Sequence, residues 1–314
     1  MKIPFQKWHG CKNNFIVITA SINQTDLIPS LQRQAHNLCN KDGSSIGADG
    51  ILVLEYPDSL SFQFAPKQVV IINSDGSLAK NCGNGLRCAA LACYQRALDN
   101  NQDSHIPDSF ELFVEEKSFF CRFLESSVEG LPYVSLSMGK PQINESNSWH
   151  DEAQTAVKAL FKKSSQAPKL EGIHTCTLSN QHIILFVDQL KQDFLKELGH
   201  ALQKGYSWDG INVHLAQNSS IDPKRIKGPA GVVSRESIVC DVLHWERGCG
   251  PTAGCGSGAS SIAACLFADG FLSEQDCVVV RMPGGSVFIR QKNEKAPMEM
   301  IGPAQFIFDG SLEI

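Results

Sequence analysis

The sequence predicts an α+β protein built as two similar halves, each a set of strands around one buried helix. Three observations carry this. Cys82-Gly83-Asn84-Gly85 and Cys255-Gly256-Ser257-Gly258 repeat one pattern far apart in the chain. Each copy runs into a proline-free stretch of small and apolar residues, as a buried helix does after a tight glycine turn. Around each copy lie short β-branched and aromatic runs of strand length.

In chain order, 15–20 is β-branched and reads as a strand. Residues 27–38 have helical spacing and lead to the turn Gly47-Ala48-Asp49-Gly50. Strands follow at 51–56 and 68–73, the latter ending at Asn73 before Ser74-Asp75-Gly76, a turn signal. Residues 86–97 form the first helix behind a Cys-Gly-x-Gly turn, and 110–114 and 119–124 a strand pair. The polar segment 126–132 marks a domain boundary. In the second half, strands are expected at 133–138, 174–178, 183–187, 211–216, 237–245, 277–282, 286–289 and 306–308. Helices are expected at 151–161, 193–202 and 259–267. Segments 99–103, 144–151 and 162–168 read as surface loops.

Composition excludes several classes. Net charge is −5, and no Lys/Arg cluster forms a nucleic-acid stripe. Lys162-Lys163 reads as a solvated helix face. No apolar run approaches the roughly 18 residues of a membrane span. The residues from Met1 to His9 carry no sustained apolar leader, so a cytoplasmic location with reduced thiols is expected. The 12 cysteines show no paired Cys-x-x-Cys spacing, so no metal site is expected.

Most free cysteines are small core hydrophobes. Cys39, Cys88, Cys93, Cys240 and Cys265 lie in apolar or helical runs and read as core; Cys11, Cys121, Cys176, Cys249 and Cys277 receive no role. Only Cys82 and Cys255 head the repeated turn. A helix N-terminus carries unpaired N–H groups and partial positive charge. It lowers a thiol pKa from about 8.5 into a reactive range and can hold a carboxylate. Two such thiols around one anionic ligand suit moving a proton from one face of a carbon to the other.

These residues resemble the diaminopimelate epimerase family, cofactor-independent enzymes that invert one α-carbon of diaminopimelate. The matching pieces run end to end. They include Trp8-His9-Gly10 with Asn13 and Phe15, Ile46-Gly47-Ala48-Asp49-Gly50, and Asn73-Ser74-Asp75-Gly76. Cys82-Gly83-Asn84-Gly85 with Arg87-Cys88, Met138-Gly139, Asn180-Gln181-His182, and Gly210 with Asn212 follow. Glu246-Arg247-Gly248, the second Cys-Gly-x-Gly, Pro283-Gly284-Gly285 and Gly302-Pro303 complete them.

The resemblance implies two pseudo-symmetric domains, each a mixed β-sheet wrapped around a central helix, with the active site in the cleft between them. The expected domains are 1–128, joined by the tail 301–314, and 129–300. It implies Cys82 and Cys255 as an acid/base pair, with His182 assisting the reacting end and Glu246 near the proton transfer. Gly83, Asn84, Gly256 and Ser257 would hold the reacting carboxylate and amine. Asn13, Asn73, Asn180, Asn212, Glu246 and Arg247 would hold the distal amino-acid end. Arginine can grip a carboxylate bidentately, and asparagines give fixed donors and acceptors. Taken singly, each asparagine reads as a turn or cap residue, Arg247 as a surface ion-pair former and His182 as structural; Asp49 and Asp75 read as turn residues.

No cofactor and no metal is expected. The expected partners are diaminopimelate as small-molecule substrate and, in a homodimer, a second copy of the chain, with no nucleic acid and no membrane. The chain departs from the family at Lys12-Asn13-Asn14-Phe15, where Gly-Asn-Asp-Phe is usual, and at Gly250-Pro251-Thr252, where Gly-Glu-Thr is usual. A Thr-x-x-Gly turn is missing near 115–119. Competing readings are a racemase for another amino acid such as histidine, a binding protein without catalysis, and a cysteine hydrolase using Cys82 with His182. Arg247 and the asparagines weigh against the first, both cysteines against the second, and the second motif copy against the third.

Overall fold

The computed structural model describes residues 2–58, 62–126, 130–144, 148–208, 210–271, 276–293 and 295–313. It is a mixed α+β fold. In chain order the first elements are β1 (Lys2–Gly10), β2 (Asn13–Ser21), α1 (Leu27–Cys39), β3 (Gly50–Tyr56) and β4 (Gln68–Asn73). α2 (Gly83–Asp99), β5 (Ser109–Val114), β6 (Lys117–Leu124) and β7 (Tyr133–Gly139) follow. Next come β8 (Gln142–Ile143), α3 (Ser148–Lys163), β9 (Leu170–Leu178), β10 (Asn180–Val187), α4 (Gln192–Ala201) and β11 (Asn212–Asn218). The chain ends with β12 (Ile238–Glu246), β13 (Gly250–Thr252), α5 (Gly256–Ala268), β14 (Val278–Met282), β15 (Gly285–Gln291), β16 (Met298–Gly302) and β17 (Gln305–Glu313).

The chain divides into two compact units, Met1–Leu136 with Gly302–Ile314, and Ser137–Ile301. The boundary expected at 128/129 falls on residues 127–129, which lie outside the described residues.

In the first unit a mixed sheet runs β17-β1-β2-β3-β4. β2 and β3 are parallel and the other neighbours antiparallel. α1 covers this sheet with a stripe of Leu27, Leu31, Ala35 and Cys39, every fourth residue, so one face is apolar and the other solvated. α2 differs: every residue from Gly83 to Cys93 is buried. Its Gly, Ala and Cys residues let strands approach from all sides, and each fully buried leucine contributes about 1.5–3 kcal/mol. β5 and β6 form an antiparallel pair extended by the first residues of β7.

In the second unit the strands run β16-β15-β14-β12-β11-β10-β9-β8, and β13 folds back on β12. α5 is the counterpart of α2, buried continuously from Gly258 to Leu266. α4 packs Phe194, Leu195 and Leu198 into a cluster with Trp208 and Trp245. Gly199 is needed there, because a Cβ would lie 2.1 Å from the Trp245 indole.

Two local expectations need correction. The loop assigned to 144–151 gives way to α3 at Ser148, with 145–147 outside the described residues. Lys162 and Lys163 are the exposed last turn of that helix, so the loop starts later. β1 and β16 were not anticipated at all. Among the described residues no helix is long and apolar enough to cross a membrane.

Candidate active site

Both motif cysteines are helix N-caps. Cys82 has extended backbone (φ −153°, ψ 98°), and its Sγ accepts from the Gly85 N–H at 3.4 Å. Cys255 repeats this at φ −121°, ψ 110°, with Sγ accepting from the Gly258 N–H at 3.4 Å. Sulfur thus takes the place a serine oxygen usually holds at an N-cap. Negative charge on either sulfur would meet an aligned N–H and the positive helix end.

In the first unit, Cys82 is half-buried, and the buried Asn84 accepts at Oδ1 from Arg87 Nη2 at 2.9 Å. Arg87 is fully buried; its other donors reach the Gly83 and Pro303 carbonyls, each at 3.4 Å, and the Cys11 Sγ at 3.5 Å. The guanidinium therefore ties the first turn of α2 to the returning tail and to the β1–β2 hairpin. That hairpin turns through Cys11 and Lys12, both in the left-handed region (φ 53° and 60°), the geometry of a two-residue mirror-image turn. Gly10 just before it packs closely, since a Cβ would sit 3.1 Å from the Asn84 carbonyl oxygen and 3.2 Å from Arg87 Nη2. Asn13 opens β2 with its Oδ1 buried and without a hydrogen-bond partner. Asn73 ends β4, exposed, with Nδ2 donating to Ser77 Oγ at 2.9 Å.

Of the two aspartates read as turn residues, Asp75 caps its own turn, whereas Asp49 bonds a distant backbone at the start of β2 and pairs with Lys41. Asp75 Oδ1 accepts from the Ser77 N–H at 2.9 Å, and Asp49 Oδ2 accepts from the Asn14 N–H at 2.7 Å.

In the second unit, strand register gathers the predicted residues. His182 on β10 lies beside Asn212 on parallel β11, and the Val213–Trp245 pair brings Glu246 to the same end of β12. Asn212 Oδ1 accepts from the Arg247 N–H at 2.9 Å, fixing the turn after Glu246. Arg247 is exposed, and its stem lies over Gly210, whose Cβ would come within 2.8 Å of it. Gly248 and Gly250 (φ 78° and 79°) reverse the chain so that β13 pairs with β12. The β14–β15 hairpin holds the segment before Cys255 through Gly284 N–H donating to the Ala253 carbonyl at 2.7 Å. Asn180 is exposed at the start of β10, after Ser179 in the left-handed region (φ 64°).

The electrostatics at Cys255 reverse the expectation for a helix-end thiol. Burial first, then the Glu246 charge, pushes its pKa well above the usual thiol range. The Ser257 hydroxyl and the Gly258 N–H pull the other way and lose. Cys255 is therefore a protonated thiol at neutral pH. Its Sγ lies 3.5 Å from Ser257 Oγ.

His182 is fully buried, and burial depresses its pKa to about 4, with the Leu178 backbone opposing. Its Nδ1 meets His214 Nε2 at 2.9 Å, and His214 Nδ1 meets His244 Nδ1 at 2.7 Å. Sequence reading passed over His214, His244 and Arg87 as site-related residues. The signal for the two histidines exists only in register, because they face each other across β11 and β12.

The profile of the family described as diaminopimelate epimerase matches residues 5–108 and 175–307. The chain belongs to the diaminopimelate epimerase family. A protein named diaminopimelate epimerase from Prochlorococcus marinus (strain NATL2A) is 29% identical over 318 aligned positions, covering 100% of both chains. Among solved structures, a PhzF-family phenazine biosynthesis protein from Bacillus anthracis superposes with a TM-score of 0.67 at 12% identity, covering 100% of each chain. A hydroxyproline epimerase from Agrobacterium vitis gives 0.55 at 15%, covering 99% of this chain and 91% of that one. These last two establish the fold alone. As a member of an epimerase family the chain is an isomerase. Both Cys-Gly-x-Gly turns fall inside the matched segments, whereas α3 falls outside them. Of the departures from the diaminopimelate epimerase pattern, Pro251 is exposed on β13 opposite Trp245.

Proposed function

We propose that the chain interconverts LL- and meso-diaminopimelate by a two-thiol acid/base mechanism without a cofactor. The observation that carries this is the repeated N-cap: two cysteine sulfurs, each accepting from a glycine N–H at 3.4 Å at the head of a buried helix. An α-proton of an amino acid is a very weak acid. Its removal needs a base and preorganised donors for the charge developing on the carboxylate. The first-turn N–H groups around Gly83-Asn84 and Gly256-Ser257 suit that role.

Inversion needs one thiolate and one thiol, and such a pair titrates as a unit. With its pKa raised by burial and Glu246, Cys255 is the resting thiol, and Cys82 serves as thiolate. The thiolate takes the α-proton from one face, and the opposing thiol delivers its own to the other. The two then hold exchanged protonation states, and loss of the captured proton to water with reprotonation of the other sulfur from water restores them for the next turnover. Asn13, with an unpartnered buried Oδ1, suits an ammonium of the distal end. The remaining distal ligands are Asn73, Asn180, Asn212, Glu246 and Arg247. The cytosol, where thiols stay reduced, suits the chemistry. The product would serve lysine and peptidoglycan synthesis.

The test is incubation of reduced protein with LL-diaminopimelate and chromatographic separation of stereoisomers. Formation of the meso isomer, abolished in Cys82→Ala and Cys255→Ala, is expected. Inversion of another amino acid in its place would move the assignment to a different racemase.

A further inference from the structure

Gln217, Asp241, Arg281 and Ser286 form a row across β11, β12, β14 and β15, each residue opposite the next. Residues opposed in register share one face of a sheet, and neighbours along a strand alternate between faces. Asp241 and His244 are three residues apart on β12, so they point to opposite faces. The His244 face is that of His214, whose ring lies beneath α5, 2.5 Å from where a Cβ on Gly258 would be. The row therefore lies on the outer face, away from the helix that carries Cys255. Along β12 it is about 16 Å from Glu246.

The segment after β11 faces this row across a cavity of about 640 Å³, a size that suits a small molecule. The segment is anchored by the Ser219 N–H, which donates to the Val239 carbonyl at 2.8 Å, and it turns through a 3₁₀ turn at Pro223–Arg225. Ser220 and Arg225 line the cavity from this segment, and Arg281 and Ser286 from the two legs of the β14–β15 hairpin. Ile221 and Ile226 add an apolar wall.

The polar groups of the lining are unevenly matched. Asp241 Oδ1 lies 3.2 Å from Arg281 Nε and orients that guanidinium. Asp222, the one carboxylate in the lining, has a partner of its own. Arg281 Nη1 is buried and makes no hydrogen bond among the described residues. Among those residues the Arg225 guanidinium and the Ser220 and Ser286 hydroxyls also have no hydrogen-bond or ion-pair partner. A guanidinium can only donate and a hydroxyl can donate, so these four side chains share a need for acceptors. Leaving a buried cationic donor unmet is costly.

We propose that this cavity binds a phosphate group, free or esterified, through Arg225, Arg281 and the hydroxyls of Ser220 and Ser286. Two guanidinium groups balance a dianion, and planar forks of N–H donors fit phosphate oxygens bidentately. Four donor side chains on two sides of the cavity match a tetrahedral anion, whereas a single carboxylate offers only two oxygens. The organic part of an ester would lie on Ile221 and Ile226. The site is independent of the reaction assigned to the cysteines.

The test is calorimetric titration of the full chain with inorganic phosphate, in chloride of matched ionic strength and without diaminopimelate. Saturable binding of one phosphate is expected at about 1 mM or tighter, as two or more charge-assisted hydrogen bonds provide. Arg225 is exposed, so Arg225→Gln should fold normally and weaken binding about tenfold or more. Ser286→Ala should weaken it severalfold. Lys227→Gln removes the same charge from the same loop but outside the cavity lining, and should leave affinity within about twofold. Absence of saturable binding overturns the proposal. So does equal binding by wild type and Arg225→Gln, which places the anion elsewhere. A loss in Lys227→Gln as large as in Arg225→Gln also overturns it, because the loop would then attract anions diffusely. Phenyl phosphate distinguishes the source. Binding about tenfold tighter than inorganic phosphate, with the advantage lost in Ile221→Ser, assigns the site to an ester; equal binding assigns it to free phosphate.

Discussion

Alanine at the third position of each site helix should have very unequal consequences in the two units. Gly85 and Gly258 occupy the same place in the repeated motif, each donating its N–H to the cysteine sulfur. Neither has the left-handed backbone that requires glycine, so alanine carries no backbone strain and gains up to about 1 kcal/mol of helix propensity. What differs is the neighbour. At Gly85 a Cβ meets the end of the Leu52 side chain at 3.2 Å and the Cys82 sulfur at 3.4 Å. A leucine methyl can yield, so Gly85→Ala should change stability by less than about 1 kcal/mol. At Gly258 the Cβ meets His214 Cε1 at 2.5 Å and Nε2 at 2.8 Å. Carbon–carbon contacts prefer about 3.5–4.0 Å, so the ring must move by about 1 Å. It is held at both nitrogens, and moving it weakens two hydrogen bonds worth about 1 kcal/mol each. With overpacking of about 1–3 kcal/mol, Gly258→Ala should lose roughly 2–4 kcal/mol after the propensity gain. Urea unfolding monitored by circular dichroism measures both. Equal midpoints for the two variants would refute the placement of His214 beneath α5.

Other outcomes follow from the same coordinates. Gly199→Ala places a Cβ 2.1 Å from Trp245 and should destabilise by more than about 3 kcal/mol, measured by thermal melting; a melt within a degree of wild type would contradict the packing. The buried histidines are neutral in the fold and charge when it opens. Each therefore contributes stability in full above its unfolded pKa near 6.5, and this is lost as pH falls toward the folded value, about 4 for His182. That ring alone should cost about 2 kcal/mol between about pH 7 and pH 5; urea midpoints unchanged across that interval would argue against a neutral buried chain. Arg87→Met should loosen the first turn of α2 and the returning tail together, lowering stability by about 1.5–3 kcal/mol through lost charge-assisted hydrogen bonds, with hydrogen exchange rising at both places; protection unchanged at the tail would disprove the link through the Pro303 carbonyl. Iodoacetamide at neutral pH should label exposed Cys249 well before buried, protonated Cys255, as peptide mass spectrometry would report; equal rates would contradict the raised Cys255 pKa.

Much of the fold was legible where pattern and environment agree. The β-branched run at β2, the helical spacing of α1 and the small-residue helices α2 and α5 each announced their element, and 68–73 coincides with β4. β1 was overlooked although Ile3 and Phe5 alternate inward, because Lys2, Pro4, Gln6 and Lys7 dilute the apolar signal. β17 was foreseen only at 306–308, since Asp309-Gly310 reads as a turn. In the fold it continues the strand opposite Gln6 and Phe5, and Gly310 makes room for the Phe5 ring, 3.0 Å from where a Cβ would be. At the site, the cysteines and the Glu246-Arg247 turn were visible because glycines mark them. The side-chain bond from Asn212 to the Arg247 backbone and the three-histidine chain depend on pairing between distant strands, which no local window contains. The pKa of Cys255 was misjudged for a related reason. The helix end is visible in sequence, but the burial and the Glu246 charge that outweigh it come from the tertiary fold.

The most direct measurement is where solvent deuterium enters during the first few per cent of turnover of LL-diaminopimelate in heavy water. Two thiols working from opposite sides predict deuterium at the α-carbon of the newly formed meso isomer, with the recovered LL substrate almost unlabelled. Label appearing equally in product and recovered substrate would mean one base serving both faces, and the pairing of Cys82 with Cys255 would be wrong.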